Sequence, residues 1–356
     1  MKTFVIILLA LVAATGSGFG QNLIAVQSGE NASFYTNLDS ALFYAKNGDD
    51  IYLPGGYIKA NSTTLKIDKA VNIIGVGYNP NTNAATENTI IQSSIIKIMP
   101  NVHGGSISGI YSKGMLHLQD TVSNFSINRC LFSRIRIGGG NGIIPTSNIS
   151  ICESIIENGI LNGYDYPVCP QNVIISNSII GNLNDGYPFQ GNRFWDNIKC
   201  MNCLILGRSS YGYSIIIGIE SSLFENCILI DANTNSNLGC NNSTFRNCLF
   251  TGANAESSVP APNVVYDCIF NQPQHLIFID PQDFVFNMKN DYRLQENTAG
   301  KNAGTDGTDI GIYGGRFPWK DGGLPANPHI ESKFVNGTTD TNGNLNVKIK
   351  VAAQER

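Results

Sequence analysis

The feature that most constrains this chain is a seven-fold internal repeat. The string "LFENCILI" (residues 223–230) returns 21 residues later as "TFRNCLFT". Aligning the small residue of each copy gives Cys130, Ser154, Ser178, Cys203, Cys227, Cys248 and Cys268, spaced 24, 24, 25, 24, 21 and 20 residues apart. Three residues before it stands Ile127, Ile151, Ile175, Cys200, Phe224, Phe245 or Val265. Two residues after it stands Phe132, Ile156, Ile180, Ile205, Leu229, Phe250 or Phe270. The small residue and the one two further on alternate as strand side chains do, with period two. The set three before is offset by an odd number, so the strand must bend between them. The bend falls on the polar residue just before the small one, which is Asn in the four copies from Asn177 to Asn247. Asn tolerates the left-handed conformation that turns a strand without a loop. Each copy therefore reads as one coil of a parallel β-solenoid, with rungs about 4.8 Å apart, burying its apolar face only against its neighbours. The Ile or Leu just after the small residue has no place in this alternation, which points it outward.

Composition agrees. Only 14% of the 356 residues are charged, Gly numbers 37, and Ile, Asn and Ser abound. Helical solenoids of this period need longer amphipathic stretches of good helix formers, and the chain lacks them. The formal charge of −4 offers no electrostatic footprint for nucleic acid or an anionic membrane.

Residues 1–20 read as a signal peptide: Lys2, an apolar run from Phe4 to Ala14, then small residues at Gly18 and Gly20 before a cut at Gln21. No later apolar run reaches the length of a membrane span, so the expectation is a secreted, periplasmic or cell-surface protein. The nine cysteines are odd in number, start only at Cys130 and mostly share one repeat position, which speaks for buried reduced thiols rather than a disulfide framework. "CMNC" (Cys200–Cys203) stands alone, with neither a second pair nor a His partner, and no metal site is expected from it. His103, His117, His275 and His329 are scattered and read as structural or surface residues.

With these repeats on view, the chain resembles the right-handed, single-stranded parallel β-helix proteins of the pectin-lyase-like superfamily, exported bacterial type. The resemblance covers roughly residues 32–317. It includes the opening "NLDSALFYAKNGDDIYLPGGYI", where Leu38, Ala41, Leu42 and Ala45 form one face of a short helix stopped by Gly48. In the family this helix caps the open end of the first coil. "VNIIGVG" and "GGSISGIY" look like early coils, and "DYRLQENTAGKNAGTDGTDIGIYGG" (residues 291–315) resembles the family's closing segment. The expected organisation is a signal peptide (1–20), a β-helix domain (21–317) and a tail (318–356). The tail comprises a Pro/Gly linker and a β-hairpin formed by "HIESKFV" and "NLNVKIKV".

The resemblance is specific for fold and weak for function. Family hydrolases carry clustered Asp residues, and the one Asp-Asp pair here, Asp49–Asp50, belongs to the cap. Family lyases use a Lys or Arg base, often with Ca²⁺. Lys199, Arg193 and Arg208 stand without a matching motif, and no cofactor is expected outside that lyase alternative. Asp306 and Asp309 read as turn residues. The richest chemistry lies in the loops of three consecutive coils. Tyr164, Pro188 and Tyr213 each fall ten residues past their small position, which suggests one side of the solenoid. These loops are expected to gather Tyr164, Tyr166, Tyr187, Trp195, Tyr211 and Tyr213 near Asp165, Asp185, Arg193 and Arg208. Such aromatics either form a sugar platform or fold back over the outward Ile and Leu. The leading expectation is a non-enzymatic protein that binds a polysaccharide or cell-surface glycan. A polysaccharide lyase or glycoside hydrolase with a divergent site in the same loops, and a purely structural or adhesive stalk, are the alternatives.

Overall fold

The computed structural model of the protein describes residues 23–79, 87–139, 144–162, 169–181, 187–207, 215–231, 238–280, 286–326 and 328–352, with the side chains of 192–194, 255, 329 and 331 outside that description. The repeats build a parallel β-solenoid. In the first sheet the strands Asp50–Tyr52, Asn72–Ile74, Ser106–Ser108 and Ser123–Asn128 pair in parallel, and the order continues strand by strand to Val264–Tyr266. The second sheet stacks the other half of each coil, for example Leu131–Ile137, Ile155–Ile156, Ile179–Ile180, Leu204–Gly207 and Ile228–Asp231. Corresponding repeat positions lie in register, Ile151 on Ile175 on Cys200 on Phe224.

The corner falls where the sequence places it. Arg129, Glu153, Asn177, Asn202, Asn226, Asn247 and Asp267 all adopt φ between 43° and 54°. The small residue after each corner has a second reason for being Cys or Ser. In every coil its thiol or hydroxyl donates back to the carbonyl two residues earlier, from Cys130 Sγ to Asn128 O (3.2 Å) through Ser178 Oγ to Ser176 O (2.8 Å) to Cys268 Sγ on Tyr266 O (3.4 Å). Cys203, Cys227 and Cys248 lie fully inside, and Cys268 is half-buried in the last coil. Both apolar sets point inward, Ile127, Phe224 and Phe245 against Phe132, Ile180 and Leu229. A second Asn ladder, unread in the sequence, marks the other end of the first-sheet strands. Asn124, Asn148, Asn172 and Asn197 have φ of 55°, 55°, 53° and 59°. The amides of Asn148, Asn172 and Asn197 each donate to the Oδ1 of the Asn one coil before at 3.0–3.1 Å. The signal was present, an Asn six residues before the small position.

At the start, Asn37 Oδ1 accepts from Ser40 N–H (2.8 Å) and opens the helix Leu38–Tyr44, whose Leu38, Ala41 and Leu42 are buried. At the other end His329–Val335 and Val347–Ala352 pair antiparallel. No helix among the described residues is long and apolar enough to cross a membrane.

The outward Ile and Leu find their partner in the chain's own C-terminal part. Leu131, Ile155, Ile179, Leu204, Ile228 and Leu249 form a second buried cluster with Ile277, Phe278, Tyr292, Leu294, Ile310, Ile312 and Trp319. After the last coil the chain returns as a strap along the row of corners, in reverse coil order. Asn247 Nδ2 donates to Ala303 O, Asn226 bonds Thr305 through both its amide atoms, Asn177 Nδ2 donates to Ile312 O and Gly314 O, and Arg129 Nη1 donates to Leu324 O. The corner side chains thus serve twice, turning the strand and holding the strap. Close approach explains the "GIYGG" glycines: a Cβ on Gly314 would stand 1.8 Å from Asp309 O and 2.8 Å from Asn202 Nδ2. Burial also passes residue 317, since Trp319 and Leu324 are buried within the stretch expected to be linker.

Asn226→Val tests the corner. It puts a β-branched residue at φ 54° and removes both bonds to Thr305. The strain alone costs about 1–3 kcal/mol, so the urea midpoint should fall clearly, and less for Asn226→Gly, which tolerates that φ. Equal midpoints for the two variants would count against the corner assignment. Asn233, the loop Asn that would serve as a further comparison, lies outside the described residues.

Candidate functional site

Most of the expected loop platform lies outside the described residues: Tyr164, Asp165, Tyr166, Asp185, Arg208, Tyr211 and Tyr213 do, and of Arg193 only the backbone is described. Tyr187 is half-buried. Trp195 is not a surface residue. It belongs to the strand Phe189–Asp196, aligned with Ile219 of the next coil, and is 0% exposed in the solenoid interior. The stretch "FQGNRFWD", expected as part of a coil loop, pairs as a strand with a register shift between Gln190 and Trp195. That irregularity changes which side chains face inward, and Trp195 therefore presents no face to a ligand.

The described structure places an open groove of about 900 Å³ elsewhere, between the outer face of the first sheet and the strap. Its floor comes from the side chains that alternate outward just before each corner. One row runs Ser108, Asn128, Cys152, Ser176, Met201 and Glu225, in register from coil to coil. A second row near the start is a hydrogen-bonded chain: Ser106 Oγ donates to Asn72 Oδ1 (2.9 Å) and Asn72 Nδ2 donates to Asp50 Oδ1 (2.8 Å). The strap supplies the opposite wall through Thr305, Asp306, Arg316, Phe317 and Pro325. Phe317 is 50% exposed at the rim, with the Arg316 guanidinium 5.5 Å from its ring centre.

Among the charges on this groove, Arg129 and Glu153 neutralise each other. Nε donates to Oε2 at 2.9 Å and Nη2 to Oε1 at 3.2 Å, and both side chains are less than a tenth exposed. Glu225 meets Arg246 in an exposed pair at 3.4 Å. Asp306 Oδ1 accepts from the Thr308 N–H and hydroxyl, and these bonds hold its carboxyl below the usual range. Asp309 accepts from Lys301 Nζ and Asn302 N–H, so Asp306 closes a turn, as the sequence reads, while Asp309 instead ties the chain to residues seven and eight positions earlier. Asp50 and Glu225 lie seven strands apart in the sheet, roughly 34 Å at about 4.8 Å per strand, too far to act on one glycosidic bond, whereas Asp306 follows Thr305, which bonds Asn226 next to Glu225. The surface is suited to hydrogen bonding along an extended partner.

Of the histidines, His117 is buried with Nε2 3.0 Å from Gly138 O, and burial pushes its pKa down to about 4. It is a neutral structural residue at ordinary pH.

The groove residues were missed because the sequence reading followed the inward alternation. Their signal was the position two before the small residue, where Asn128, Cys152, Ser176, Met201 and Glu225 sit. Nothing in the chain's local pattern showed that residues 305–326 would form the second wall.

Fold and groove together define a parallel β-solenoid with an open groove of mixed polar and apolar lining along one sheet, walled on one side by its own C-terminal strap. Comparison of the chain with protein-family models, with curated proteins and with solved structures yields no match.

Proposed function

We propose that this chain is an exported, right-handed β-helix protein of the pectin-lyase-like type that binds a polysaccharide along the groove of its first sheet. The observation that carries the reading is the groove floor. Hydroxyl, amide and carboxylate side chains recur along it, interrupted by Cys152 and Met201, and suit a polymer that offers hydroxyls along its length, while Phe317 stands at the rim for a sugar face to pack on. Charge on the groove leans to carboxylate, with half-buried Asp50 and exposed Asp306 against Arg316 and with Glu225 paired to Arg246, so neutral or amino-sugar chains fit better than uronate chains. Export through the signal peptide would bring the protein to a secreted, periplasmic or cell-surface location where such polymers occur.

A panel of neutral, amino and uronic polysaccharides, read for both retention of the protein and release of reducing or unsaturated ends, tests this. Retention without new ends is expected. Phe317→Ala should weaken binding about tenfold, or ~1.4 kcal/mol, with unchanged melting because the ring is half exposed. Failure to bind any polymer, or equal binding by the variant, would sink the groove reading. New chain ends would move the assignment to a lyase or hydrolase.

A further inference from the structure

The interior holds a group of thiols that the repeat only partly explains. Cys203 and Cys227 occupy the small position after the corner, where Cys or Ser is written in every coil. Cys200 does not. Its position carries Ile127, Ile151 and Ile175 in three preceding coils and Phe224, Phe245 and Val265 in the three that follow. A thiol here is smaller than what any other coil uses to fill the same space. Its effect is to bring a third sulfur to two that already stack. The Sγ atoms of Cys200, Cys203 and Cys227 all lie within 4.8 Å of one another, Cys200 and Cys227 at 3.9 Å, and all three residues are fully buried. "CMNC" in the sequence lacks a further partner; the next coil supplies it.

We propose that Cys200, Cys203 and Cys227 form a copper(I) site inside the solenoid. Three sulfurs in a plane around a metal at about 2.3 Å stand roughly 4.0 Å apart, close to the spacing already present. Thiolates select soft cations. Zinc completes a tetrahedron, and although the Cys248 thiol adjoins Cys227, among the described residues no fourth Cys, His, Asp or Glu lies close to all three. Copper(I) needs only the three. Loading replaces the three thiol protons, which pass to solvent, with one Cu⁺, leaves two net negative charges on the site, and transfers no electron. Because the site is sealed, the ion must enter before the coils close. The inference is independent of the glycan reading, since no groove residue takes part.

The test uses substitutions the repeat itself writes at these positions: Cys200→Ile, as in the three preceding coils, and Cys227→Ser, as at Ser154 and Ser178. The whole chain is expressed with added copper, purified without oxygen and analysed for metal by atomic emission. The parent protein should hold about one copper per chain, and both variants should lose it at least tenfold while keeping the parent's circular dichroism spectrum. X-ray absorption at the copper edge should show sulfur neighbours alone. A copper-free parent protein, zinc in place of copper, equal copper in Cys200→Ile, or a Cys200–Cys227 disulfide found by mass mapping would each overturn the proposal.

Discussion

Trp195→Ala lowers the stability of the folded protein by about 3–5 kcal/mol, the usual cost of emptying a large aromatic site in a core, and leaves polysaccharide binding of the still-folded protein unchanged. Trp195 is fully buried among the inward side chains, and its strand neighbour Ile219 lies in the same interior. An alanine leaves a cavity between coils that are stacked on both sides and cannot close over it. The indole Nε1 has no hydrogen-bond partner among the described residues, so the residue contributes chiefly by volume and apolar area. Trp195→Phe should therefore be much milder, within about 1.5 kcal/mol, as expected of a swap that keeps most of the volume. Chemical denaturation of the three proteins, with binding measured well below their transitions, decides the matter. Unchanged stability in the alanine variant would return Trp195 to the surface, and lost binding would restore it to a ligand site.

Arg129→Leu should cost a comparable 3–5 kcal/mol, roughly, because it strands the Glu153 carboxylate in a buried place. Arg129 and Glu153 occupy consecutive corners, at φ 52° and 47°, and the guanidinium bridges the carboxylate to the carbonyl of Leu324. Two coils and the strap therefore meet on one side chain. The double variant Arg129→Leu/Glu153→Leu should recover a large part of the loss, since it removes the unpaired charge along with its partner. Proteolysis of the native state should reach the chain near residue 324 sooner in the single variant. A single variant as stable as the parent, or a double variant worse than the sum of the two single ones, would show that the pair is not the fastening it looks to be.

These two residues mark where local reading stops. Trp195 follows Gly191 and Asn192, and that composition reads as loop. Its strand exists because Ile216–Glu220 of the next coil pairs beside it, a contact no window of the sequence contains. Arg129 and Glu153 break the Asn pattern at the corner. Their pairing becomes visible only when successive coils bring positions 24 residues apart side by side. The same holds for the outward Ile179 and Leu204. They contradict a solenoid with a solvated outer face until Ile310 and Ile312 are laid over them. The loop tyrosines, Tyr187 among them, are grouped by the common offset of Tyr164, Pro188 and Tyr213, which fixes a side of the solenoid but not which side chains face out.

The sequence by itself determined the unit and its stacking. A period near 24, two inward sets offset by three and a left-handed corner residue are local facts, because strand alternation and backbone sterics act within a few residues. The parallel coil, the buried rows from Ile127 to Phe245 and the small residue tucked behind each corner follow from them. Tertiary structure decided what covers the outside and what lies open. The strap returns over corners from 56 residues away at Asn247 to 195 residues away at Arg129, and only that return turns the outer Ile and Leu into core and the face of the first sheet into a groove. The gathering of Cys227 onto Cys200 and Cys203 is of the same kind. Such contacts depend on how long-range burial and loop closure balance over the whole chain, and no short stretch of sequence carries that balance.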